Sequence, residues 1–133
     1  MMVIDTNIYS ALDRGAVDAI DALRGQSIIY LPIISVGELR YGFANGSKQP
    51  ENESRLSKFL AQDKVEVLTP TLKTAELYGQ MATRCQQTGH ALSNNDLWIA
   101  ALANEAGALL VTYDKDFAVF ADIFGDKLII LAR

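Results

Sequence analysis

Asp-Leu-Trp-Ile-Ala-Ala-Leu-Ala-Asn-Glu-Ala-Gly-Ala-Leu-Leu-Val-Thr-Tyr-Asp, at residues 96–114, is the clearest indication of how this chain folds. The first part, Asp96 to Ala106, is mostly apolar and predicts a buried helix that ends before Gly107. The second part, Ala108 to Thr112, is a short apolar run without polar alternation, as expected of a strand covered on both faces. A buried helix that leads directly into such a strand is a building unit of parallel α/β sheets.

The same alternation of helices and strands continues along the rest of the chain. Four more short apolar runs predict strands at Met2 to Ile4, Ile28 to Leu31, Val65 to Leu68 and Leu128 to Leu131. Helical patterns lie between them, at Ala16 to Arg24, Val36 to Ala44, Glu53 to Gln62 and Leu72 to Gln87. The polar segment Asn45 to Asn52, which contains Pro50, predicts a loop. Together these patterns predict an α/β fold with a parallel sheet covered by helices on both faces.

Length, composition and charge restrict the class of protein. A chain of 133 residues, half of them hydrophobic, can bury one core, which predicts a single domain over residues 1–133. The net charge of -4 argues against a protein that coats nucleic acid through bulk positive charge, although it leaves metal-assisted phosphate binding open. The single cysteine, Cys85, cannot form an internal disulfide. Because the chain shows no signal peptide and no apolar run of ~18 residues, we expect a cytoplasmic protein without a membrane span.

Two aspartates stand where predicted strands end. Asp5 follows the first strand and Asp114 follows the fourth, and the carboxyl ends of parallel strands form the edge at which ligands bind. If these two strands are neighbours, both carboxylates face one crevice. The structural alternatives are that Asp5 caps the short helix after it and that Asp114 forms a turn. Of the acids in the segment after the fourth strand, Asp116 is the stronger candidate for the turn residue.

Two more acids stand at predicted helix starts. Ser93-x-x-Asp96 and Ser35-x-x-Glu38 both match a capping box, and capping alone would explain either acid. Asp96, however, shares one helix face with Ala100 and Ala103, and small residues on that face allow the helix to approach the sheet closely. A common site is therefore favoured over four unrelated caps and turns.

Carboxylates that share a pocket repel one another unless one is protonated or a cation is shared. Their hard oxygen ligands suit Mg²⁺ or Mn²⁺, and with one histidine and one cysteine the chain cannot assemble a usual zinc site. Because such ions commonly engage phosphates, phosphodiester hydrolysis is the natural reaction class. The chain contains no phosphate-binding or dinucleotide-binding glycine motif and no Gly-x-Ser-x-Gly nucleophile turn.

Four short motifs, in this order along the chain, resemble the signatures of PIN-domain ribonucleases, and most closely the VapC-type toxins of bacterial toxin–antitoxin pairs. They are Val3-Ile4-Asp5-Thr6-Asn7, Ser35-Val36-Gly37-Glu38-Leu39-Arg40-Tyr41-Gly42, Asn95-Asp96-Leu97-Trp98-Ile99-Ala100-Ala101 and Leu110-Val111-Thr112-Tyr113-Asp114-Lys115-Asp116-Phe117. Each motif is weak alone, but the ordered set spans nearly the whole chain.

The resemblance implies a three-layer α/β/α domain whose mostly parallel five-stranded sheet has the order 3-2-1-4-5. It also implies an endoribonuclease in which Mg²⁺, or Mn²⁺ as a substitute, is bound by four acids that position the attacking water: Asp5, Glu38, Asp96 and Asp114. Thr6, Asn7 and Thr112 match supporting polar positions, and Asp116 matches a position that is often acidic. The implied partners are the RNA substrate, a VapB-type antitoxin and a second copy of the chain in a homodimer.

Other functions remain open from the sequence. The acidic pocket could bind a partner protein's arginine without catalysis, or the same fold could cleave DNA. A phosphoryl-transfer domain with Asp5 as nucleophile is disfavoured, because Thr6-Asn7 supplies no second acid next to it. Candidate phosphate contacts are Arg14, Arg40, Lys48, Lys73, Arg84 and Lys115.

Overall fold

The centre of the fold is a five-stranded sheet in which every strand pair is parallel. The computed structural model describes residues 1–132, and Arg133, the last residue of the predicted domain, lies outside the described residues. The strands are β1 (Met2–Ile4), β2 (Ile29–Pro32), β3 (Val65–Leu68), β4 (Leu109–Thr112) and β5 (Leu128–Ile130). Their order is β3-β2-β1-β4-β5, so the order and the α/β class implied by the sequence are confirmed.

The helices connect these strands and form two outer layers. They are α1 (Thr6–Asp13), α2 (Val17–Leu23), α3 (Ile33–Ala44), α4 (Gln49–Leu60), α5 (Leu72–Thr88), α6 (Asn94–Ala106) and α7 (Ala121–Phe124). Two 3-10 segments, Lys115–Phe120 and Gly125–Lys127, surround α7 and are absent from the sequence-based prediction.

The alternation of side chains along each strand produces two hydrophobic cores, one on each face of the sheet. Met2 and Ile4 of β1 pack with residues of α1 to α4, whereas Val3 packs with residues of α5, α6 and the segment after β4. The sheet is therefore covered on both sides, which confirms the three layers. None of the helices within residues 1–132 has the length and hydropathy to cross a membrane.

Two helix starts differ from the prediction. Helix α3 begins at Ile33, directly after Pro32 in extended conformation, so Ser35 lies inside the helix and does not cap it. Helix α4 begins at Gln49, four residues before the predicted start, and includes Pro50 in its first turn. Proline is tolerated there because its missing N–H would have no partner in the first turn of a helix. The loop predicted over Asn45 to Asn52 is therefore only half as long.

Candidate active site

Asp5, Thr112 and Asp114 are joined at the carboxyl ends of β1 and β4. The two strands are neighbours in register, with Ile4 beside Val111, which brings Asp5 next to Thr112. The Thr112 hydroxyl donates to Asp5 Oδ2 at 2.6 Å and accepts from the Asp114 backbone N–H at 3.0 Å. Because the Asp114 N–H can only donate, the hydroxyl proton is directed to Asp5. Asp5 and Asp114 therefore lie at the same edge of the sheet and are linked through Thr112, as expected if they belong to one site.

Asp5 is a buried carboxylate that also caps a helix. Only 4% of its surface is exposed, and its Oδ1 accepts from the Ile8 N–H at 3.0 Å at the start of α1. Burial raises the pKa of Asp5, the hydrogen bonds from Thr112 and Ile8 lower it, and the nearby Asp114 and Glu38 charges raise it. The capping role and the place in the acidic site are therefore both real and use different oxygens of one carboxylate.

Glu38 is held beside Asp5 by two donors. The Thr6 hydroxyl donates to Glu38 Oε1 at 2.6 Å, and Asn95 Nδ2 donates to Glu38 Oε2 at 3.2 Å. Thr6 directly follows Asp5 on the chain, and Asn95 lies in the first turn of α6, so Glu38 of α3 is tied to two other parts of the site. The capping role considered for Glu38 is wrong, because α3 starts five residues earlier.

Asp96 lies in the first turn of α6, where the Ser93 hydroxyl accepts its backbone N–H at 3.1 Å. The predicted helix start is correct to within two residues, and both Ala100 and Ala103 on the same face are buried without exposed surface. The pKa of Asp96 is raised to about 6, first by burial and then by the charges of Asp114, Asp5 and Glu38, while the Ser93 side chain opposes the rise. The four predicted acids therefore act on one another electrostatically.

The turn after β4 is formed by Asp114 and not by Asp116. Asp114 Oδ1 accepts from the Asp116 backbone N–H at 2.9 Å, and the Asp116 side chain is exposed. The expectation that Asp116 is the turn residue is wrong, because such a bond needs the acceptor two residues before the N–H and only Asp114 occupies that position.

A cavity of about 440 Å³ lies at the turn after β4. It is lined by Asn7, Tyr113, Asp114 and Lys115. Lys115 is the only one of the six candidate cations among these lining residues. Arg40, Lys73 and Arg84 instead form ion pairs with Glu53, Glu76 and Asp122 within the part of the chain that the structure describes. Lys115 is therefore the cation best placed for a phosphate at the acids.

The chemistry of the donors fits a hard divalent cation. All four acids offer carboxylate oxygens, and the pKa values of Asp5 and Asp96 are raised first by burial and further by the neighbouring negative charges, both of which a bound cation would offset. Within residues 1–132, no three acidic, histidine or cysteine side chains already form a compact metal cage. Mg²⁺ does not require one, because it keeps several of its waters and uses few protein ligands. His90 and Cys85 line a different cavity without any carboxylate.

Comparison with known proteins agrees with this fold and arrangement. The family model described as "PIN domain" matches residues 2–123. Ribonuclease VapC2 of Rickettsia felis is 33% identical over 120 residues, covering 86% of this chain and 88% of that protein. Ribonuclease VapC1 of Haemophilus influenzae (strain R2866) is 32% identical over 126 residues, covering 91% of this chain and 92% of the relative.

A solved structure extends the comparison to three dimensions. The crystal structure of VapBC2 from Rickettsia felis bound to a DNA fragment from their promoter contains a chain that matches with a TM-score of 0.79 at 29% identity, covering 99% of this chain and 98% of that one. The present chain belongs to the PIN-domain family, and within it to the VapC group.

One residue of the site was assigned no role from the sequence. Asn95 forms a hydrogen bond with Glu38 across 57 positions of sequence. Its place next to Asp96 at a helix start was the available signal, but the contact depends on the approach of α3 to α6, which no local pattern specifies.

Proposed function

We propose that this protein is an endoribonuclease toxin that hydrolyses RNA phosphodiester bonds with Mg²⁺ or Mn²⁺ held by Asp5, Glu38, Asp96 and Asp114. The observation that carries the proposal is the junction of Asp5 and the Asp114 backbone through the Thr112 hydroxyl, with Glu38 close enough to raise the pKa of Asp5 and with Asp114, Asp5 and Glu38 close enough to raise that of Asp96. The names of the relatives, Ribonuclease VapC2 and Ribonuclease VapC1, support RNA as the substrate.

Each residue of the site has a separate role in the proposed reaction. Hydrogen bonds from Thr112 and Ile8 fix the buried Asp5 carboxylate in place and oppose the rise in its pKa, and Thr6 with Asn95 orients both oxygens of Glu38. A bound Mg²⁺ or Mn²⁺ would supply positive charge for the phosphate and lower the pKa of a water. Asp96 lies in the first turn of α6, where the Ser93 hydroxyl holds its backbone, so its carboxylate is positioned to help bind the cation. Asn7 and Lys115 border the cavity where the phosphate chain would run.

The decisive experiment compares Asp5→Asn with the wild type in RNA cleavage and in growth arrest after expression. We expect Asp5→Asn to abolish both while the circular dichroism spectrum stays unchanged, because the substitution keeps the shape but removes the charge. Asp63→Asn, which removes a charge from an exposed turn after α4, is the matched control and should retain cleavage. Full cleavage by Asp5→Asn would refute the proposed role of the acids.

Metal and substrate are tested in the same assay. Chelation with EDTA should stop cleavage and Mg²⁺ or Mn²⁺ should restore it, with the relative rates showing which ion is preferred. Matched RNA and DNA oligonucleotides then distinguish a ribonuclease from a DNA-directed nuclease. If neither is cut and calorimetry detects no Mn²⁺ binding, the acidic pocket is a protein-binding surface instead.

We further propose a VapB-type antitoxin as partner, supported by the similarity to a chain of the VapBC2 complex. Two adjoining cavities of about 300 and 270 Å³ share Leu12, Phe59 and Gln62 between α1, α2 and α4. Ile20 of α2, which lines the second cavity, is 40% exposed, and Val17, three positions before it on the same helix, is 70% exposed, which suits an apolar segment of a partner. Co-expression with the antitoxin should relieve growth arrest, and Val17→Glu should weaken that relief without changing cleavage of RNA by the toxin alone.

Three expectations from the sequence stay predictions: a homodimer, a cytoplasmic location and a single domain over residues 1–133. Light scattering of the purified chain tests the first, cell fractionation the second and limited proteolysis the third.

A further inference from the structure

A second cavity borders the acids on the side of α3. Its volume is about 570 Å³, within the range of about 300 to 1,000 Å³ common for small-molecule sites. It is lined by Ile34, Gly37, Glu38, Tyr41 and Asn95. We call it the Tyr41 cavity. Because Glu38 and Asn95 are hydrogen-bonded to each other at the acidic site, an occupant of this cavity would lie directly beside the acids.

Tyr41 presents an unusually open aromatic ring to this cavity. The residue is 75% exposed, and within residues 1–132 its ring stacks on no other ring and its hydroxyl forms no hydrogen bond. Tyr78 differs, because it stacks on Trp98 at a centroid distance of 4.3 Å. Tyr41 follows Glu38 by three positions on α3, which places both side chains on neighbouring positions of one helix surface.

Gly37 leaves the floor of the cavity open. Glycine inside a helix is destabilising relative to alanine, so its presence in α3 calls for a reason. Packing supplies none, because a Cβ built at Gly37 meets no atom within 4 Å. Gly42 of the same helix is equally free of neighbours but does not line the cavity. The two glycines therefore form a matched pair in which only one would intrude on an occupant.

We propose that the Tyr41 cavity is a subsite for an unpaired nucleobase of the substrate, which stacks on the Tyr41 ring while its phosphate lies at the acids. This inference rests on the proposed ribonuclease function. The aromatic face of Tyr41, an aliphatic wall at Ile34 and an amide at Asn95 together suit a flat base with a polar edge. A base within a duplex is already stacked, so the subsite selects single-stranded segments.

The test measures kcat/KM on a short RNA that the wild type cleaves, and on versions that carry one abasic nucleotide at each position near the cut. Tyr41→Ala should lower kcat/KM on the intact RNA by roughly 10- to 100-fold, the range expected for one stacked base. Tyr41→Phe keeps the ring and should stay within about threefold of the wild type. At one abasic position, the kcat/KM of the wild type should fall by the same factor as Tyr41→Ala lowers it on the intact RNA. The kcat/KM of Tyr41→Ala itself should not fall further at that position.

Gly37→Ala and Gly42→Ala provide a second, independent test of the subsite. Both should raise the melting temperature, but only Gly37→Ala should lower kcat/KM on the intact RNA, because its methyl group enters the subsite. Leu72→Ala, which shortens an exposed side chain outside the cavity, should change neither cleavage nor the abasic profile.

Several results would overturn the inference while leaving the ribonuclease function intact. One such result is near wild-type cleavage by Tyr41→Ala. A second is that Tyr41→Ala and the abasic nucleotide lower kcat/KM independently at every position. A third is that light scattering attributes the loss of cleavage in Tyr41→Ala to a broken dimer. If the wild type cleaves no RNA, the proposed function fails, and the subsite is decided by binding of a single-stranded RNA that contains 2-aminopurine. Fluorescence quenching that disappears in Tyr41→Ala would support the subsite, and equal quenching by both proteins would contradict it.

Discussion

Replacement of Asp96 by asparagine should stabilise the folded protein in the absence of metal. Its pKa is raised from 3.8 to about 6, and each tenfold change in proton affinity is worth about 1.4 kcal/mol, which corresponds to about 3 kcal/mol at full weight. We reduce this to about 1.5 kcal/mol because the carboxyl is only half-buried and water screens its neighbours. Loss of a negative charge from the first turn of α6 removes about 0.5 kcal/mol of favourable helix-dipole interaction. The net expectation for Asp96→Asn is a gain of roughly 1 kcal/mol at pH 8.

The gain should depend on pH in a defined direction. Because the folded pKa of Asp96 lies above the unfolded value, the ionised carboxyl destabilises the fold above pH 6, and this destabilisation is lost as the pH falls from about 6 toward 4. Urea unfolding in EDTA at pH 8 and at pH 4 measures both limits, and the advantage of Asp96→Asn should vanish at pH 4.

Asp63→Asn serves as the control for charge alone, since Asp63 lies in an exposed turn. If Asp96→Asn is less stable than the wild type at pH 8, or if Asp63→Asn stabilises equally, then burial of the ionised Asp96 carboxylate beside other acids does not raise the free energy of the folded state.

Three further predictions concern contacts around the site and the helix layer. Thr112→Val removes a hydrogen bond to the buried Asp5 carboxylate and the acceptor of the Asp114 N–H, so urea unfolding should show a loss of about 2 to 3 kcal/mol, with Thr112→Ser retaining most of the stability. Lys115→Ala should raise KM for RNA and reduce the salt dependence of binding, measured by fluorescence anisotropy, whereas Lys73→Ala, which removes the same charge away from the acids, should change neither. Thr74→Val leaves Glu105 with one hydroxyl donor instead of two, so thermal and urea unfolding should show a loss of about 1 to 2 kcal/mol; an unchanged midpoint would mean that this contact between α5 and α6 contributes no stability.

Much of the fold follows from local patterns, because short apolar runs mark the strands and longer mixed segments between them mark the helices. Strand residues on both faces of the sheet are buried, Val3 in one core and Ile4 in the other, so these runs lack polar alternation and stand out from the helices. Helix starts are less predictable where two local signals compete. Ser35-x-x-Glu38 matches a capping box, yet the helix already begins at Ile33, directly after the end of β2. Ser35 therefore lies inside the helix, and its buried hydroxyl has no partner among the described residues.

Some residues of the candidate site, too, can be predicted from local patterns and others cannot. Asp5 and Asp114 could be found because the end of a strand is a local feature and the sheet edge gathers such ends. The donors to Asp5 and Glu38 follow from no local pattern, since the Thr112, Thr6 and Asn95 contacts all span more than 30 positions of sequence. Thr112 and Thr6 were expected as supporting residues only through the family resemblance, and Asn95 was given no role. Burial of Asp96, which decides its pKa, is likewise a consequence of how α6 packs and not of its own neighbours in the chain.

The bond between Asp5 and Thr112 joins residues 107 positions apart. In the sheet, β1 lies between β2 and β4. One edge of β1 therefore stays unpaired until β4 is in place. During synthesis, which proceeds from the amino terminus, Asp5 emerges early but gains its threonine donor only after the last third of the chain has left the ribosome. Until β4 pairs with β1, the chain therefore carries an incomplete acidic centre, in which Asp5 lacks both its threonine donor and the neighbouring Asp114.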